Sequence, residues 1–314
     1  MIMIDDIYAA RDRIRDGVRV TPIMRAGCER NPLPVTGTVT FKLELAQVTG
    51  SFKARGALNR LRGASEPIGA AGIVTASGGN HGLAVARTAA IAGHAATIFV
   101  PETVSPAKVA KMREWRADVR IVGVDWAKSN VAALDWAADT GAQYFHPFAD
   151  PLVVAGQGTL GLELLEQVSD IDTLILAVGG GGLVSGVGTA IKALAPHVRI
   201  IAVEPTGSPT LRDSIAAGYA VRLPQVTSRV ATMACPQTDD RIVQIAAQVI
   251  DGLILIEDEA MQDAADWLWF EYGIAADLAG AASVAALRSG HPALATGRHI
   301  CALICGAGPE GVAR

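Results

Sequence analysis

Residues 72–100, GIVTASGGNHGLAVARTAAIAGHAATIFV, decide the fold. GIVTA is a short apolar, β-branched run of the kind that forms a buried strand; glycines break it, and HGLAVARTAAIAG then places apolar residues at helical spacing up to a terminal glycine. AATIFV begins a second strand. The theme continues as PAKVAKMREW (106–115), VRIVGV (119–124) and WAKSNVAALDWAAD (126–139). Three strand–helix pairs of this length predict a parallel sheet, since parallel neighbours need a crossover connection and a helix supplies it.

Working outward, VTFKLEL (39–45) alternates apolar and polar residues, the period of a half-buried strand. Before it, DDIYAARDRIRDG (5–17) reads as a surface helix with acids in its first turn and Gly17 where a C-cap belongs. On the far side, TLILAV (173–178), RIIAV (199–203), LILIE (253–257) and HICALIC (299–305) are apolar enough to be covered on both faces. The expected class is α/β, with open and mostly parallel sheets flanked by helices. Pro67 and the His146-Pro147 pair mark the stretches where the chain is expected to cross between two domains. The expected boundaries are therefore 1–68 with 146–314 for a large domain and 69–145 for a small inserted one.

Composition narrows the function. The 314 residues are 50% hydrophobic, 18% charged and include 33 glycines, which excludes disorder and collagen-like uses of glycine. A net charge of −4 leaves no basic excess to neutralise phosphates along a nucleic acid. Cys28, Cys235, Cys301 and Cys305 form no CxxC pair and read as free thiols, so a reducing cytoplasm is expected. Asp5, Asp6, Arg11 and Asp12 interrupt any signal-peptide pattern. The charge-free stretch 173–191 contains six glycines, four of them consecutive, and would make a poor membrane helix.

Four constellations carry chemistry. Ser51-Phe52-Lys53-Ala54-Arg55-Gly56 follows the alternating strand, and Ser51 is expected to cap a helix whose first turn holds Lys53. An amine beside the positive end of a helix dipole is disfavoured as a cation, and burial disfavours it further, which makes a nucleophile; a solvated surface lysine is the plainer reading. Ser77-Gly78-Gly79-Asn80-His81 lies between strand and helix, where backbone amides can take a carboxylate; a tight turn is the plainer reading there. Gly179-Gly180-Gly181-Gly182 stands at a second such junction and suits a phosphate. With Gly186 it also makes a variant of the dinucleotide fingerprint, and Glu204 stands where a ribose-binding acid would, so a nicotinamide-dependent dehydrogenase is a competing reading. Cys305-Gly306-Ala307-Gly308 ends the last strand, at the edge where open α/β sheets receive ligands, although a buried cysteine can simply fill a core.

Taken together and in order, GSFKARGA, ASGGNHG, AGQGT (155–159), GGGGL, AVEP (202–205) and CGAG resemble the serine/threonine dehydratase and serine racemase group of pyridoxal-phosphate enzymes. This is the fold type II, tryptophan synthase β-like class, and the resemblance spans roughly residues 5 to 308. It implies a cofactor, pyridoxal 5'-phosphate, lying between the two domains. It makes Lys53 the catalytic Schiff-base lysine and Phe52 a residue packed on the cofactor ring. Asn80 would meet the ring's phenolic oxygen, Gly179, Gly180, Gly181 and Gly182 the phosphate, and Cys305 the pyridine nitrogen. Ser77, Gly78, Gly79 and His81 would belong to the loop that takes the substrate carboxylate.

Four departures accompany the resemblance. Gly78 stands where the racemases carry a serine, and Thr210 where the group's divalent-cation site has an acid, so no metal is expected. Asp277-Leu278 replaces a Glu-Pro pair, and Thr227-Ser228-Arg229 replaces an Ala-Asp-Gly segment. The expected activity is β-elimination from a hydroxy amino acid, threonine or serine first, giving a 2-oxo acid and ammonia. Alternatives are another β-hydroxy substrate, such as 3-hydroxyaspartate or a bulkier one, serine racemisation, and a non-catalytic amino-acid-binding module. The only expected partners are a small amino-acid substrate and a second copy in a homodimer, and no C-terminal regulatory domain is expected after CGAG.

Overall fold

The computed structural model describes residues 2–312, so the extreme ends of the expected large domain lie outside the described residues. In chain order the elements are α1 (Ile4–Ile14), β1 (Ile23–Arg25), β2 (Thr38–Lys42), α2 (Lys53–Arg62), β3 (Ile73–Ala76), α3 (Asn80–Ala92), β4 (Ala96–Val100), α4 (Pro106–Glu114), β5 (Asp118–Ile121), α5 (Trp126–Thr140) and β6 (Gln143–Tyr144). Then come α6 (Pro151–Gln167), β7 (Thr173–Ala177), α7 (Gly182–Leu194), β8 (Arg199–Pro205), α8 (Thr210–Ala217), α9 (Asp240–Val249), β9 (Gly252–Ile256), α10 (Asp258–Tyr272), α11 (Leu278–Arg288) and β10 (His299–Leu303).

Two sheets result. One has six strands in the order β1-β2-β10-β7-β8-β9, all parallel except β1, which runs antiparallel to β2. The other has four parallel strands in the order β5-β4-β3-β6 and comes wholly from residues 73–144. The helices start and stop where local chemistry dictates. Ser105, Asp125 and Asp150 cap α4, α5 and α6 with their side chains, and the left-handed glycines Gly93 and Gly141 end α3 and α5. One face of the four-stranded sheet buries Ile98 with Val85 and Met112, and the other buries Phe99 with Ala133. Among the described residues no helix is long and apolar enough to cross a membrane.

Two expectations need correction. Helix α1 ends at Ile14 with Arg15 as its C-cap, so Gly17 sits just beyond, its N–H bonded to the Ile14 carbonyl. Strand β2 is not half-buried: Val39, Thr40, Phe41 and Lys42 are all buried, because β10 pairs on one side, β1 on the other, and helices cover the faces. The alternation instead delivers a cation to the interior. Lys42 Nζ reaches Glu163 Oε1 at 2.5 Å, Gln167 Oε1 at 2.7 Å and the Thr21 carbonyl at 2.7 Å. Arg55, from α2, donates to Glu44 at 2.7 and 3.1 Å and to Glu163 at 2.7 Å.

This network ties α2 to the turn after β2 and to α6. Removing the guanidinium would strand two buried carboxylates beside a single remaining cation. We therefore expect Arg55→Ala to cost about 3–5 kcal/mol in urea-induced unfolding; a loss below about 1 kcal/mol would show that the network is dispensable.

Candidate cofactor and substrate site

Lys53 opens α2, and the chain reaches it along the end of β10. The Phe52 amide donates to the Cys305 carbonyl at 3.2 Å, Ala307 donates to the Gly50 carbonyl at 2.8 Å, and Ser51 bridges Gly306. This stitching brings Lys53 and Cys305 together although 252 positions separate them in sequence (305 − 53). Ser51 does not cap the helix as expected. Phe52 occupies the N-cap position without a side-chain bond, and the Ser51 hydroxyl is buried without a partner, because its backbone is committed to the bridge. The Phe52 ring lies 5.1 Å from Lys53 Nζ, and that amine donates to the Pro147 carbonyl at 2.7 Å. Loss of hydration pushes the Lys53 amine down to about 8.

The glycine loop follows β7. Gly181 is the N-cap of α7 with φ 86°, and no side chain caps that helix, so its first amides are available to an anion. A Cβ on Gly180 would stand 2.2 Å from a ring carbon of Phe148, which leaves no room for any other residue. The loop is also pinned from outside, where Thr238 Oγ1 donates to the Gly180 carbonyl at 2.9 Å. The dinucleotide alternative fails at its acid. Glu204 is buried, and its two oxygens accept the amides of Leu211 and Arg212 at 2.7 and 2.9 Å, so it caps α8 rather than facing a ribose. Burial raises that carboxyl to about 7. Thr210 spends its hydroxyl on the Cys235 carbonyl.

The second glycine turn follows β3. Ser77 Oγ accepts from the Gly79 amide at 3.3 Å, and Gly79 is the N-cap of α3, again without a side-chain cap. The His81 side chain points into the interior. It is 2% exposed, its Nε2 donates to the Phe145 carbonyl at 3.1 Å, and burial pushes it down to about 3, so it is a neutral structural imidazole. What this position can offer a carboxylate is its backbone amide. At Gly78 a Cβ would meet Val104 Cγ2 at 2.9 Å; an aliphatic side chain fills the space where a hydroxyl would have to stand.

The two turns and the last strand converge. Asn80 Nδ2 donates to Asp277 Oδ2 at 2.9 Å, and Asp277 Oδ1 accepts the Gly280 amide at 2.6 Å at the start of α11. Cys305 is 3% exposed, and its thiol is held well above its usual range, first by burial and then by Asp277. It is an uncharged S–H at neutral pH. Thr232 touches both glycine turns, since a Cβ on Gly79 would lie 3.2 Å from its methyl and one on Gly179 would lie 2.9 Å from its carbonyl. The sequence motifs did not mark Thr232, Val104 or Phe148, and they marked Asp277 only as a departure. Arg229 bonds Asp258 through its amide and makes an exposed ion pair with Glu259 at 3.2 Å on α10.

The arrangement fits pyridoxal phosphate: a partly deprotonated amine for the aldehyde, a glycine cradle with uncapped helix amides for the phosphate, and a neutral buried thiol for the ring nitrogen. Comparison with known proteins agrees. The chain is 35% identical over 95% of its length to an L-threonine ammonia-lyase of Geobacter sulfurreducens, covering 73% of that protein. It is 34% identical to a phenylserine dehydratase of Ralstonia pickettii, with 96% and 91% of the two chains covered. The structure of maize serine racemase superposes with a TM-score of 0.90 at 31% identity over 97% of this chain and 93% of that one. Residues 14–306 match the family described as pyridoxal-phosphate dependent enzyme, and the chain belongs to that family.

Proposed function

We propose that the protein is an ammonia-lyase that eliminates water from L-threonine or L-serine and releases a 2-oxo acid and ammonia. The observation that carries this reading is the pairing of a softened amine, Lys53, with a buried thiol, Cys305, that keeps its proton. When bound, the cofactor supplies an electron sink for the charge left at the substrate Cα. A carboxylate at Cys305 would hold a proton on the pyridine nitrogen and spread that charge through the ring. A neutral thiol would leave the charge close to Cα, and the β-hydroxyl, taking up one proton, would depart as water.

The chain's own residues would divide the work. Lys53, once displaced by the substrate amine, is a base of suitable strength to take the Cα proton, since its ammonium ionises near 8. The amides of the 77–81 turn would hold the substrate carboxylate, and the uncapped amides of α7 the phosphate. Phe52 and Asn80 would frame the ring. Gly78 itself supplies no acid or base to return a proton, and its nearest neighbours, Val104 and Pro101, are apolar. Elimination is favoured over racemisation on that ground. The released enamine takes up water and loses ammonia in solution.

The six-stranded and four-stranded layers are read as two domains, 1–68 with 146–314 and 69–145, with the site between them. The same reading puts the enzyme in the cytoplasm as a homodimer. A second substrate reading, a bulkier β-hydroxy amino acid, is favoured by the phenylserine dehydratase likeness over nearly the whole chain.

Three outcomes test the reading. The holoenzyme should absorb at about 410–420 nm, borohydride should bleach that band, and threonine or serine should yield a 2-oxo acid without accumulation of the D-isomer. A bleachable band with no 2-oxo acid from threonine, serine or phenylserine would leave only a binding module. Replacing Lys53 by alanine should lower turnover by roughly 10²–10⁴-fold or more; near-normal turnover would remove it from the chemistry. In protein stripped of cofactor, the rate at which added pyridoxal phosphate is captured should climb with pH around a midpoint near 8, as the Lys53 ammonium loses its proton. An ordinary lysine would respond only near about 10.4, and a midpoint there would show that the amine is not activated.

A further inference from the structure

Asp277 stands at the N-cap of α11, where a carboxylate needs only one amide to serve as a cap. It makes a second bond that no capping role requires. Its Oδ1 takes the Gly280 amide at 2.6 Å, and its Oδ2 takes Asn80 Nδ2 at 2.9 Å from the helix that begins the other layer. The surroundings are tight: a Cβ on Gly306 would stand 2.6 Å from Asp277 Oδ2 and 2.9 Å from Asn80 Nδ2. Asp277 is 7% exposed, and burial raises its carboxyl above the usual range, so the ionised form is maintained against a cost by these two donors.

An asparagine amide has two faces of similar shape, a carbonyl that accepts and an NH2 that donates, and which one points where is decided by its partners. Asp277 Oδ2 can only accept while ionised. It therefore holds the Asn80 NH2 on its own side and leaves one N–H free for a second acceptor. On the cofactor reading proposed above, that acceptor is an anionic ring oxygen, which a carbonyl would repel. We infer that Asp277 is a positioning residue that fixes the amide of Asn80 with a donor toward the cofactor oxygen, and that it does so in addition to capping α11.

Two variants separate the roles. Asp277→Ser retains a capping side chain but is too short to reach Asn80, whereas Asp277→Ala loses both functions. We expect Asp277→Ser to keep the unfolding midpoint close to that of the parent while weakening pyridoxal-phosphate binding about tenfold, the size of one hydrogen bond to a charged oxygen. It should also move the pH midpoint of the cofactor's absorbance band in the direction that Asn80→Ala moves it. Because Asp277 would act through Asn80, the double variant Asn80→Ala/Asp277→Ser should bind cofactor no more weakly than Asn80→Ala alone.

The proposal is overturned if Asp277→Ser leaves cofactor affinity and band unchanged. It is also overturned if the two substitutions add fully, which would mean that Asp277 acts independently of Asn80. Should the parent protein itself show no cofactor band, the cofactor reading fails, a result distinct from either of these.

Discussion

The position of the reactive amine rests on the buried ion network around Arg55. Lys53 and Arg55 are two residues apart at the start of one helix, and Arg55 is held by Glu44 and Glu163 from two other elements. Glu163 is in turn shared with Lys42, and the pull of both cations keeps its carboxyl below the usual range despite burial. Such a network is costly to form, since each ion gives up its hydration, but once formed it tolerates little displacement. The start of α2 is thus anchored on its interior side, and its opposite side is left to present Lys53.

Two similar solutions to an electrostatic problem occur in the two layers. Each is a glycine turn leading from a parallel strand into a helix that no side chain caps, α3 in one layer and α7 in the other. Helices such as α4, α5 and α6 satisfy the same amides with Ser105, Asp125 and Asp150. The glycine turns at α3 and α7 leave those amides for an anion, because unsatisfied first-turn amides are stabilised by one. A carboxylate and a phosphate can therefore be held without charged side chains, and around Lys53 the Cys235 and Cys305 thiols and the His81 and His146 imidazoles stay uncharged. Glu204 illustrates the same physics closed on itself, with α8 taking its anion from the protein.

Much of this was legible along the chain. Period and punctuation predicted most strands of both layers, because GIVTA, TLILAV and HICALIC carry their own β-branched and apolar signal and the glycine turns interrupt it sharply; β1 (Ile23–Arg25) and β6 (Gln143–Tyr144) are too short to carry such a signal. Lys53, Asn80, the 179–182 loop and Cys305 stood out as candidates because each belongs to a short motif. Strand β2 was misjudged, since alternation reports polarity and not exposure; only the arrival of Glu163 from α6 makes a buried Lys42 acceptable. Ser51 looked like a cap for the same kind of reason, but its backbone is claimed by Gly306, far away in sequence.

The sequence by itself determined the α/β class, the order of the elements, the glycine turns and the residue types at the site, all of which depend on neighbours within a few positions. Tertiary structure alone decided which groups meet. It turned the His81 imidazole away to the Phe145 carbonyl, put Val104 against Gly78, paired Arg229 with Glu259, and joined Asn80 to Asp277 across 197 positions. Local pattern carries no information about such pairings, because they are set by the crossing of two layers and by the need of each buried polar group to find a partner there.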